Sequence, residues 1–360
     1  MEESTQMSKS DLIHLRDKLN EQIVSIDPNK VTFSVDANII NRLGKELVGR
    51  AETAVSELVK NAYDADSNIV KLNFVTSNMG GGSLIISDDG HGMTKEQLIK
   101  GFMTLSSTSK LHEPVSPKYN RRRAGRKGIG RFATQFLGEK LIIVTQTLEE
   151  QYAIKIVIDW NDYTMDKELS TIENTIELVK KQQIQGTTLY IEKLRHTWSD
   201  SQIKRVFRYI SDLLQPAYLS VNSSDLGIAK QAEEYFLVEC LRTENELTSS
   251  IADINKILFD KALAEIEGYV DDSHDGYFGV KSTSFEIQDY ALPISANEKG
   301  GEEVTKYKLL KGVHFKAYYF VYNRFEYYSN GITKMQLGNI EDLSRTQSGI
   351  RMYRNGFRVL

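Results

Sequence analysis

The chain has 360 residues, 40% of them apolar and 26% charged, values near the globular average that exclude disordered, collagen-like and membrane-embedded classes. Cys240 is the single cysteine, which excludes an intrachain disulfide framework and a cysteine-rich zinc site, and the six histidines lack ligand spacing for a transition metal. A net charge of −4 gives no general attraction to nucleic acid.

No apolar run reaches the roughly 18 residues that a spanning helix needs, and the N-terminus MEESTQMSKSDLIHL is too acidic and polar for an export signal. A cytoplasmic protein with no membrane partner is expected. Its length accommodates two domains.

In chain order, Leu12, Ile13, Leu15, Leu19 and Ile23 space an amphipathic helix in an N-terminal arm, residues 1–37. The pattern from Asn38 to Ala65 predicts one long helix, since it is rich in Glu, Leu, Ala and Lys and free of proline. Strands follow at Ile69–Val75 and Ser83–Ser87, then a glycine turn and a helix from Thr94 to about Phe102. Residues 103–130 are polar, hold two prolines and show little periodicity, which reads as a long loop. Beyond it come a helix at Arg131–Leu137, strands at 141–146, 152–159, 175–179 and 187–194, and a helix at 200–214 ending at Pro216. The layout is an α/β sandwich. We place a domain boundary near residue 216, and the chain stops in strand-like sequence, so the second domain, 216–360, is expected to be incomplete at its C-terminal end.

Four segments carry candidate chemistry. On the long helix, Glu57, Asn61 and Asp64 recur at four and seven residues and so share a face. An amide oxygen suits Mg²⁺ and a carboxylate one turn away can take a proton from water, although such a polar face is also common on solvated helices. In Asp88-Asp89-Gly90-His91-Gly92-Met93, a carboxylate at a strand end can accept from an exocyclic amine, and glycines admit close backbone approach. An ordinary turn has the same composition. Gly125-Arg126-Lys127-Gly128-Ile129-Gly130 runs into a helix and offers backbone N–H groups to phosphates, without being a P-loop or a dinucleotide fingerprint. Gly186-Thr187-Thr188-Leu189 places a hydroxyl at the start of a strand, or forms a plain β turn.

Taken together and in this order, the segments resemble the GHKL family of gyrase, heat-shock chaperone, histidine kinase and MutL ATPases. ELVKNAYDAD (57–66) looks like its N box, DDGHGM (88–93) and GRKGIGRFA (125–133) its two glycine boxes, and GTTL (186–189) its closing threonine motif. The resemblance covers residues 38–215. It implies a two-layer α/β sandwich of the Bergerat type that binds ATP with Mg²⁺, an ATP lid at 103–130 and a smaller α/β transducer-like domain after it. By the same resemblance Glu57 is the general base and Asn61 the Mg²⁺ ligand, with Asp64 beside it. Asp88 contacts adenine in a pocket of Gly90, Gly92 and Met93. Lys127, Gly128, Ile129 and Gly130 cradle the phosphates, Lys110 in the segment STSK lies near them, and Thr187 is the adenine-side hydroxyl.

Glu at position 57, where kinases of the family usually carry Asn, favours hydrolysis over phosphotransfer to histidine. The wording most resembles the bacterial MORC/MutL-like branch, which implies slow turnover and an ATP-dependent homodimer that works within a DNA-associated, defence or repair protein. Relatives supply a transducer lysine to the γ-phosphate from beyond a motif resembling YRNGFRV (353–359); Lys334 is the substitute candidate here. The seven basic residues between Lys118 and Arg131 suit either a solvated lid or a contact with DNA. A non-catalytic nucleotide sensor is the competing class.

Overall fold

The computed structural model describes residues 15, 18, 19, 35–78, 80–104, 114–121, 123, 130–214, 236–251, 262–271, 273–282, 287–294, 296–297, 303–304, 307–310, 313–320, 333, 338, 341, 349–350, 352–354 and 357–358. The expected N-terminal helix lies almost wholly outside them.

The predicted long helix is two helices, α1 (Ile39–Leu47) and α2 (Ala51–Asp64). Val48 takes extended angles and Arg50 a β conformation, around Gly49, a residue that costs a helix about 1 kcal/mol relative to alanine. The break lets Val48 bury its side chain while α2 turns a separate apolar stripe, Ala54, Val55, Leu58, Val59 and Ala62, into the core. Composition alone had hidden the interruption.

Strands β1 (Ile69–Val75) and β2 (Ser83–Asp88) form an antiparallel hairpin. Thr94 then opens the next segment with a reciprocal capping box to Gln97, but the α-helical turn Lys95–Gln97 passes at once into a π-helix, Leu98–Met103. Helix α3 (Gly130–Leu137) leads into β3 (Gly138–Gln146), followed by β4 (Ala153–Asp159), β5 (Ile176–Val179) and β6 (Gly186–Leu194). Helix α4 (Asp200–Leu213) starts on a Ser199–Gln202 capping box and buries Ile203, Val206, Phe207 and Ile210, one stripe of a 3.6-residue period.

The sheet order is β5-β4-β3-β6-β2-β1, continued by β7 (Leu237–Glu244) and β8 (Leu247–Ser250). Every pairing is antiparallel except β1 with β7, which run parallel from Ile69 opposite Leu237 to Val75 opposite Thr243. One face of the sheet carries Val70, Leu72, Phe74, Leu84, Ile86, Leu141, Ile143, Ile156, Ile158 and Ile191, all buried in a core shared with the helices. The other face carries opposed charges on directly facing residues: Lys71 with Glu239, Lys140 with Glu192 and Lys155 with Glu177, at 3.0–3.2 Å. A sheet apolar on one side and charge-laced on the other makes a two-layer α/β sandwich with its helices on the apolar side.

A second, four-stranded antiparallel sheet follows, built from β9 (Ala264–Val270), β10 (Gly276–Ser282), β11 (Ile287–Pro293) and the later β14 (His314–Tyr319), in the order β11-β10-β9-β14. Between β11 and β14 lies the two-residue pair β12 (Ala296–Asn297) and β13 (Glu303–Val304). Stacked Tyr269 and Tyr277, with ring centroids 5.3 Å apart, and the His314–Glu267 pair at 2.8 Å join neighbouring strands of the sheet. Among the described residues no helix is long and apolar enough to cross a membrane.

Candidate nucleotide site

Three strand ends and one turn meet at Asp88. In register, Asp88 on β2 faces Thr187 on β6, and Thr187 faces Thr145 on β3. The Asp88 carboxylate accepts from the backbone N–H groups of Gly90, at 2.9 Å, and Thr187, at 3.3 Å. The neighbouring Asp89 is turned toward the backbone before β1, where one of its oxygens accepts from Ser67 Oγ and from the N–H groups of Asn68 and Ile69, at 2.7–2.9 Å. Burial raises the Asp89 pKa, but these bonds outweigh it and hold the carboxyl below its usual value. Asp88 goes the other way. Burial pushes it up to about 7, against the two backbone N–H groups and with the charge of Asp89 adding to the rise. A carboxyl so poised at a strand end, on a residue that is only half-buried as a whole, is the kind of group that a ligand amine would hold in its charged form.

The turn after β2 crosses over β6 to reach β3. His91 N–H bonds the carbonyl of Ala65 at the end of α2, and Met93 N–H bonds Thr145 Oγ1, both at 2.9 Å. Gly92 makes this crossing feasible: it has φ +69°, and a Cβ there would run into the Gln146 carbonyl. Gly186 has φ +124° and passes so close to the Asp88 carbonyl that a Cβ would collide with it. Thr145 lies outside the four motifs; its only mark in the sequence is a hydroxyl directly after the apolar run Leu141-Ile142-Ile143-Val144, and the structure buries it fully.

The structure therefore brings Asp88, Gly90, Gly92, Met93 and Thr187 together around one turn. It sets the end of α2 against that turn and packs α2 against α3, whose first residue is Gly130. On α2, Asn61 is exposed, Asp64 is buried, and Glu57 lies partly buried with its Oε1 accepting from Lys60 Nζ at 2.8 Å. Lys110, Lys127, Gly128 and Ile129 lie outside the described residues, as does Lys334. Among the described residues no group of three or more His, Cys, Asp and Glu side chains could hold a metal.

Beyond α2 an anchor appears that periodicity could not reveal. Asp66, left-handed at φ +59° and 4% exposed, accepts from Ser116 Oγ at 2.5 Å and from the N–H groups of Lys118 and Tyr119. Arg121 is 3% exposed, donates to the carbonyls of Tyr63 and Ser67, and lies against the rings of Tyr63, Tyr119 and Phe236. Of the seven basic residues from Lys118 to Arg131, Arg121 is thus committed to the fold and not available as a surface cation. Cys240 is buried in β7, which pushes its thiol up to about 12 and leaves it a packing residue.

Residues 49–188 match the family described as histidine kinase-, DNA gyrase B-, and HSP90-like ATPase. The chain is similar to the DNA mismatch repair protein MutL of several organisms. It is 43% identical over 75 residues to that of Rickettsia canadensis, covering 21% of this chain and 12% of that protein. The MutL of Rickettsia akari is 42% identical over 77 residues, again 21% and 12%, and that of Leptospira biflexa 33% over 69 residues, 19% and 11%. The similarity thus spans only 11–12% of the length of these relatives.

Proposed function

We propose that this chain, whose residues 49–188 match the histidine kinase-, DNA gyrase B-, and HSP90-like ATPase family, the GHKL family, binds ATP at the Asp88 turn and hydrolyses it slowly. The observation that carries the reading is the convergence of a carboxylate acceptor, a threonine hydroxyl and a glycine-shaped turn beside the helix bearing Glu57. Asp88 accepts from the exocyclic amine of adenine, Gly90 and Gly92 let backbone approach the base, and Met93 packs on its face. Glu57 takes the proton from attacking water, and Gly130 at the start of α3 contributes to the phosphate cradle together with Lys127, Gly128 and Ile129, with Lys110 nearby.

The donor set on α2 fits Mg²⁺ rather than a softer metal, because the exposed amide of Asn61 offers a hard oxygen beside a polar face and Mg²⁺ keeps most of its ligands from water and phosphate. When bound, such an ion neutralises charge on the transferring phosphoryl group. We further assign residues 103–130 to a lid over the nucleotide, the second sheet to the transducer-like part of 216–360, and an ATP-dependent homodimer to the closed state. The similarity to the DNA mismatch repair protein MutL supports a place in a DNA-associated or repair protein, and we assign the chain to the cytoplasm. Lys118 and the other basic residues of the run, Arg121 excepted, are the candidates for DNA.

A nucleotide sensor without turnover is the second reading. The Lys60–Glu57 ion pair favours it, since a base held by a lysine is not yet turned to water. Asp88→Asn tests the binding site common to both: it is expected to abolish ATP binding while the protein stays folded, and unchanged affinity would remove Asp88 from the site.

A further inference from the structure

We propose that Thr145 is a positioning residue that turns the hydroxyl of Thr187 into a hydrogen-bond donor, so that the pocket selects a nucleobase with a lone pair at N1. This rests on the adenine reading of the Asp88 turn and deepens it. Thr145 is fully buried at the end of β3, and among the described residues its Oγ1 has two partners. Met93 N–H can only donate, so Thr145 accepts that bond. The proton of the Thr145 hydroxyl also needs an acceptor, because buried hydroxyls rarely go unsatisfied. The Thr187 oxygen, 3.0 Å away, is that acceptor. Thr187 then has its own proton free to point elsewhere, and it alone of the pair is partly exposed, on the strand next to Asp88.

The result is a fixed pattern along one edge of the site: an acceptor at Asp88 and a donor at Thr187. Adenine presents a donor at its six-amino group and an acceptor at N1. Guanine and hypoxanthine present an acceptor oxygen at the six-position and a donor at N1, the reverse on both atoms. Thr145 would therefore act on base selection without touching the base, through the direction of one bond, made either directly to N1 or across one water.

The test is equilibrium binding at pH 8 of ATP, GTP and 1-deaza-ATP, in which a C–H replaces N1. Wild type, Thr145→Val and Thr145→Ser are compared, with Thr187→Val as a control. Wild type is expected to prefer ATP over 1-deaza-ATP by about three- to tenfold, the range of one neutral hydrogen bond. Thr145→Val, which keeps shape but loses the hydroxyl, should lose that preference and bind GTP relatively better; Thr145→Ser should restore it, and Thr187→Val should match Thr145→Val. A merely structural threonine would lower the melting temperature of Thr145→Val and leave the ratios unchanged. If wild type discriminates and Thr145→Val keeps the same ratio, the inference is overturned and the adenine reading stands. If wild type binds ATP no better than GTP, the adenine reading fails and takes the inference with it.

Discussion

At pH 7 the carboxyl of Asp88 stands near its midpoint, because burial disfavours its charge more than the Gly90 and Thr187 N–H groups favour it. The native pKa of about 7 lies above the ordinary 3.8, so between those values the folded protein holds a proton that the unfolded chain releases. Stability from this group therefore falls as pH rises from about 4 to 7. Asp88→Asn keeps an oxygen for both backbone donors and removes the charge. The stability difference between this variant and wild type is expected to grow across that window and level off above it, as measured by urea unfolding at a series of pH values; a difference that shrinks with pH would contradict the assignment. Binding has the opposite dependence. An amine ligand needs the ionised form, so the ATP affinity of wild type should weaken as pH falls through about 7, and an affinity that is flat across that range would contradict it. Motif spacing made Asp88, Gly92 and Thr187 legible as a set. The division of labour between Asp88 and Asp89 was not legible, because it depends on which carboxylate meets the Ser67–Ile69 backbone.

Elements explain why the turn is held in place. Helix α2 ends against it through Ala65, while Asp66 and Arg121 tie the same helix end to residues 116–121 and to Phe236, the residue before β7. Arg121→Ala would leave two carbonyls short of a charged donor and empty the space between three rings. A loss of about 3 kcal/mol is expected from denaturant unfolding, the size associated with breaking a buried charged contact; a loss below about 0.5 kcal/mol, typical of a surface site, would show that the anchor is not formed. The sequence placed most strands and helices within a few residues, since alternation in β1 to β4 and the stripe of α4 are strong periodic signals. It failed where tertiary packing overrides periodicity. The break at Val48–Arg50 serves burial of Val48, and the π-helix at Leu98–Met103 follows a capping box that announces an ordinary helix. A basic run likewise gives no sign that Arg121 turns inward.

For the whole molecule, the pairing of β1 with β7 matters most, since a parallel contact between strands more than 160 residues apart leaves no local trace. A chain cut after residue 215 would expose the β1 edge and lose the cover that Cys240 shares with the core, whereas a cut after 251 would keep the sheet of eight strands intact. The shorter piece is expected to aggregate or unfold at lower denaturant than the longer one; equal stability of the two would show that β7 and β8 add nothing to the sheet. The same continuity joins the Asp88 turn, through β2 and β1, to β7.

If the site turns ATP over with Glu57 as its base, removing that carboxylate should separate nucleotide binding from phosphate release. ATP binding and steady-state phosphate release, measured in parallel on wild type and Glu57→Ala with Mg²⁺ present, test it most directly. Slow release is expected from wild type, and from the variant unchanged nucleotide affinity with release lost to background. Equal release by the two proteins would contradict it.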